Sequence, residues 1–122
     1  MARMDEWREP TGRERAVIDA ALAFNFVGRD ELATQLVGAR VTDDCVCGCG
    51  SFRVERRPGT LPSPADGVAL ETLGRDDAEN EVGLFIKVEG GYVAYVECWG
   101  LGFDPIGLPK PESLYLWEST GR

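Results

Sequence analysis

The sequence contains no histidine. That absence removes the commonest general base, the Ser-His and Cys-His nucleophile pairs, and most mononuclear catalytic metal sites. Also missing is any run of about 18 apolar residues, the length that a membrane-crossing helix needs. No glycine loop ending in Lys-Ser or Lys-Thr is present to cradle phosphates, and no dinucleotide-binding glycine pattern follows a strand. Positive charge is scarce, with 13 Lys and Arg against 21 Asp and Glu for a net charge of -8. A field of that sign repels phosphate backbones and anionic lipid, so neither nucleic acid nor membrane is an expected partner. The opening MARMDEWREPTGRER lacks the apolar stretch of a signal peptide, and the expected location is the cytoplasm. Structural disulfides are rare in that reducing compartment, so the four cysteines are read as reduced or metal-bound.

What is present describes one domain spanning residues 1–122, with residues 1–10 as a loose N-terminal arm that docks, if at all, through the indole of Trp7. A chain of this length buries roughly two-thirds of its unfolded surface, enough for one core. Thr11 and Glu14 form a capping box ahead of Val17, Ala20, Ala21 and Phe24, whose spacing predicts a helix. Ile18 and Leu22 widen its apolar stripe, as packing on a sheet requires. Asp30 is the expected N-cap of a second, shorter helix through Leu32, Leu36 and Val37, stopped by Gly38.

From Val41 the period changes to two, the signature of strands. A two-residue turn at Cys49 and Gly50 sets Cys47 opposite Phe52, Cys45 opposite Val54 and Asp43 opposite Arg56, gathering four apolar side chains on one face. A longer loop shifts that pairing. Arg57 to Asp66 holds three prolines and a glycine and reads as an exposed connection. Gly67 to Leu73 is a third strand, GRDDAEN a charged turn, and Val82–Glu89 with Tyr92–Trp99 a hairpin around Gly90 and Gly91 at the centre of the sheet. In that hairpin Val93 and Tyr95 are expected opposite Val88 and Ile86. After an irregular GLGFDPIGLPKPES, Leu114 to Trp117 adds a last short strand. The expected fold class is α+β, with two N-terminal helices packed on an antiparallel β-meander of five to six strands.

Chemistry concentrates in the cysteines. Cys45, Cys47 and Cys49 alternate, so an extended chain puts them on one face, and Cys98 sits in the neighbouring hairpin. One reading makes Cys45 and Cys47 small hydrophobes of the core beside Phe52 and Val54. A second makes all four sulfurs the ligands of a structural zinc ion, since no imidazole is available to replace any of them. A third is redox chemistry at Cys49, with Arg53, Arg56 and Arg57 close in sequence to lower a thiol pKa.

Acidic residues supply the other feature. From Leu61 onward the only basic residues are Arg75, Lys87, Lys110 and Arg122, while carboxylates continue throughout. The run Asp76, Asp77, Glu79 and Glu81 reads as a solvated face. A negative field of this kind steers a basic protein, and the expected contact surface is the sheet face and loops of the second half, with Asp76, Asp77 and Glu79 supplying charge and Tyr92 or Trp99 an aromatic anchor. Alternatively, Trp99 caps the open end of the sheet and the acidity serves solubility. The function classes that fit are a non-catalytic binding module of the immunity or antitoxin kind, a small zinc-stabilised protein, and an enzyme needing only carboxylates. No other cofactor is implied.

The segments ERAVIDAALAF, Gly38 to Val41, Cys47 to Phe52, and LPKPESL from Leu108 to Leu114 occur here in the order found in a group of small actinobacterial proteins, which the chain resembles over most of its length. That group carries three cysteines as CGCGC; here Val46 stands where a glycine is usual. The resemblance implies no activity.

Overall fold

The computed structural model describes residues 6–43, 50–100 and 107–117. Helix α1 spans Gly12–Leu22 and starts where its capping box predicts: Thr11 Oγ1 accepts the Glu14 backbone N–H at 3.1 Å, and Glu14 Oε1 accepts the Thr11 backbone N–H at 2.8 Å. Helix α2, Arg29–Leu36, starts two residues earlier than expected. Its N-cap is Gly28 at φ 82°, a left-handed conformation that glycine adopts without steric cost, and Asp30 lies inside the first turn, where its charge suits the helix dipole. The buried side chains of α2 are Leu32, Gln35 and Leu36, whereas Val37, expected on the apolar stripe, is 70% exposed because the chain has already turned extended there.

Six strands follow: β1 (Val41–Asp43), β2 (Phe52–Val54), β3 (Gly67–Arg75), β4 (Glu81–Glu89), β5 (Tyr92–Gly100) and β6 (Tyr115–Leu116). They form one antiparallel sheet in the order β1-β2-β5-β4-β3-β6, which gives the α+β architecture its single layer of strands. The β4–β5 hairpin is central, as its hydrophobicity predicts. The first hairpin joins the outer side of β5 rather than lying beside β3.

Two registers differ from expectation. Opposite Phe52 and Val54 stand Asp43 and Val41, because the connection between β1 and β2 runs from residue 44 to 51 instead of through two residues. Asp43 therefore pairs with Arg8, not Arg56. The placement expected for Cys45 and Cys47 lies outside the described residues. In the central hairpin, Gly90 and Gly91 take φ 60° and 89° and set Val88 against Val93, but a β-bulge at Ala94 then brings Tyr95 opposite Lys87 and Val96 opposite Ile86. The extra residue turns Tyr95 away from the core.

One face of the sheet, lined by Phe52, Val54, Leu84, Ile86, Val88, Val93, Val96 and Cys98, packs with Val17, Ala21, Leu32 and Leu36 of the helices into one core. Alternation along β4 and β5 sends Phe85, Lys87, Tyr95, Glu97 and Trp99 to the opposite face. The edges are blunted. Arg8 makes an antiparallel bridge to Val41 through two 2.8 Å backbone hydrogen bonds, and β6 is two residues long. The N-terminal arm is thus held at Arg8.

Candidate binding face

On the face opposite α1 and α2, three rings meet. Trp99, directly across from Gly83 on β4, lays its indole over that residue: a methyl group at Gly83 would come within 2.5 Å of the ring. Phe85 contacts Trp99 edge-on with centroids 5.4 Å apart, and Trp117 stacks on Phe85 at 5.9 Å and reaches Trp99 at 5.5 Å. Trp117 is delivered by β6, which pairs with β3, and by its own backbone N–H donating to Glu71 O at 3.1 Å. Such ring pairs contribute roughly 0.5 to 1.5 kcal/mol each beyond area burial. Trp99 Nε1 is buried with no acceptor among the described residues. Gly83→Ala is expected to displace the indole and cost about 1 to 3 kcal/mol by overpacking. Loss of the near-ultraviolet circular dichroism of the coupled indoles, with far-ultraviolet signal kept, checks this; an unchanged near-ultraviolet spectrum contradicts it.

The residues expected to bind a partner do not converge. Tyr92 opens β5 and Trp99 nearly closes it, so about 23 Å of strand separates them at roughly 3.3 Å per residue. Tyr92 donates from its hydroxyl to Thr60 O at 3.3 Å, and the Arg56 guanidinium lies 3.7 Å from its ring centroid. Asp76 is not part of a solvated face: it is 1% exposed, and its Oδ1 accepts the backbone N–H groups of Ala78 and Asn80, both at 2.9 Å, closing the β3–β4 turn. Its Oδ2 is buried without a partner among the described residues.

The neighbouring carboxylates, exposed at Asp77 and Glu79 and half-buried at Glu81, are engaged. Asp77 pairs with Arg13 at 3.0 Å, Glu79 pairs with Lys110, and Glu81 accepts the Tyr115 hydroxyl at 2.6 Å. The hydrogen bond to Glu79 holds the Lys110 ammonium above its ordinary pKa. The turn expected to present charge thus ties α1 and the segment after residue 107 to the sheet.

Of the four proposed metal ligands, Cys98 alone is described. It is buried in the core, its Sγ donates to Gly107 O at 3.4 Å, and its backbone N–H and C=O both bond to the Ser51 hydroxyl, at 2.8 and 3.1 Å. Cys45, Cys47 and Cys49 lie outside the described residues. Among the described residues no three Cys, Asp or Glu side chains gather as a metal site would require. Trp99 was legible as a candidate from its glycine-rich surroundings; Phe85 and Trp117 were not singled out, although the alternation of β4 places Phe85 on the same face. Comparison with protein-family models, with curated proteins and with solved structures finds no match.

Proposed function

We propose that the protein is a non-catalytic binding module, of the immunity or antitoxin kind, that engages a basic protein partner through the open sheet face around Phe85, Trp99 and Trp117. The observation that carries this reading is the three-ring cluster on the face opposite α1 and α2. Large aromatic side chains at the centre of a patch are the usual anchors of protein interfaces. Tyr115, 46% exposed and opposite Leu73 on the adjoining strand, extends that surface. The net charge of -8 supplies long-range steering even though the acidic turn is internally paired. Contact is therefore aromatic, and the charge acts on the encounter rate.

Affinity capture with the wild-type chain, compared with Trp117→Ala and with Arg15→Ala on the exposed side of α1, tests the reading. The expected partner is basic, binds the Arg15 variant normally and the Trp117 variant at least about tenfold more weakly, and associates more slowly as salt rises from about 0.05 to 0.5 M. An acidic partner, an association rate indifferent to salt, or a loss confined to the α1 variant overturns it.

A further inference from the structure

At the other end of β5 the open face carries a different feature. Every other described cation is already engaged: seven meet a carboxylate, while Arg57 and Arg75 donate to the carbonyl oxygens of Val37 and Glu79. Arg53 and Arg56 have neither kind of acceptor among the described residues, in a chain where acids outnumber bases. Both line one groove of about 390 Å³, together with Tyr92, Tyr95 and Glu89. Arg53 lies directly across from Tyr95 in the β2–β5 register. Arg56 rests on the Tyr92 ring at 3.7 Å, an arrangement that fixes the guanidinium plane and leaves its N–H edges free to donate. The bulge at Ala94 is part of the groove wall.

We infer that this groove binds the phosphomonoester dianion of a small molecule with a planar body, Arg53 and Arg56 forking onto the phosphate oxygens while the ring of Tyr95 stacks on the planar part. Two guanidiniums without acceptors match a dianion better than a single carboxylate, and planar N–H forks fit tetrahedral oxyanions. The site is separate from the ring cluster around Trp99, so neither depends on the other.

Phenyl phosphate is the probe, titrated into the full chain at about 0.1 M sodium chloride and followed by the NMR shifts of the arginine Nε–H groups and the tyrosine rings; benzoate and inorganic phosphate are the comparison arms. Saturable shifts at Arg53, Arg56 and Tyr95 are expected, with affinity at least about tenfold above that for benzoate and above that for inorganic phosphate. Arg53→Ala and Arg56→Ala should each weaken phenyl phosphate binding by at least about tenfold, and Arg56→Lys by nearly as much because an ammonium cannot fork. Arg53 is an exposed strand residue, so its variant remains informative even if loss of the Arg56–Tyr92 stack unsettles the fold. Absence of saturation below about 10 mM, equal affinity for benzoate, or binding insensitive to Arg53→Ala overturns the inference.

Discussion

Gln35→Leu is expected to destabilise the protein by about 2 to 3 kcal/mol, although leucine is close to glutamine in volume and equal to it in helix propensity. The side chain is 5% exposed and satisfies the backbone at three points. Its Nε2 donates to Leu61 O and to Gly91 O, both at 2.9 Å, and its Oε1 accepts the Val93 N–H at 2.8 Å. Val93 immediately precedes the Ala94 bulge, where ladder pairing is interrupted, so α2 supplies the acceptor that the strand itself does not. Gly91 O keeps a second donor in Ser63 N at 2.7 Å. The substitution therefore orphans the buried Val93 donor, at roughly 1 to 3 kcal/mol, and strips one bond from the carbonyl of Leu61, a residue 73% exposed where water replaces the amide. Urea unfolding should show a lower midpoint with an unchanged slope, while Thr34→Ala on the exposed side of the same helix should stay within about 0.5 kcal/mol. A loss below about 1 kcal/mol would show that water or backbone movement replaces the amide.

Gln35 also marks the boundary of what could be read without coordinates. The capping box of α1 and the Gly90–Gly91 hairpin were legible because a few adjacent residues decide them. The start of α2 was not: Asp30 is the better cap by type, but the chain enters through Gly28, whose left-handed backbone lies beside Ser63, a contact from 35 residues away. A polar residue at the centre of the buried stripe reads as a break in amphipathicity until its three backbone partners are known. The bulge at Ala94 moves Tyr95 to the open face for the same reason, since register is decided by what packs on both sides. In the acidic turn only the solvated reading of Asp76 fails. Composition counts Asp76, Asp77 and Glu79 alike, whereas geometry makes the first a buried turn closure and the other two ion-pair partners. The ring cluster needs Phe85 and Trp117, 32 residues apart, and only the pairing of β6 with β3 unites them.

The largest pH-dependent effect is expected at Arg8. Its Nη1 and Nη2 meet the two oxygens of Glu14 at 2.8 and 2.9 Å, and Nη2 also meets Asp43 Oδ1 at 2.6 Å, so one guanidinium joins the N-terminal arm, α1 and β1. Burial pushes the Glu14 carboxyl up, but the hydrogen bonds and charge of Arg8, with the Thr11 N–H, outweigh it and hold that carboxyl below its ordinary 4.5. Arg8→Ala leaves Glu14, 7% exposed, with burial and the repulsion of Asp43 opposed only by the Thr11 N–H. Breaking a fully buried pair costs about 3 to 5 kcal/mol; because the Arg8 side chain is 34% exposed, about 2 to 3 kcal/mol is expected at pH 7. A carboxyl lowered in the folded state stabilises above its unfolded value and loses that contribution as pH falls through the lower folded value. The gap between wild type and variant should therefore narrow as pH drops below 4.5, since acid removes from the wild type the charge that the variant already fails to balance. Urea unfolding at pH 7 and at about pH 3.5 measures it. Arg15→Ala, whose partner Glu9 is exposed and 3.9 Å away, should change stability by less than about 0.5 kcal/mol at either pH. A gap for Arg8→Ala that is constant across this range would mean that the arm is held by its backbone bridge to Val41 alone, and that the carboxylate contributes through its cap to Thr11 rather than through the ion pair.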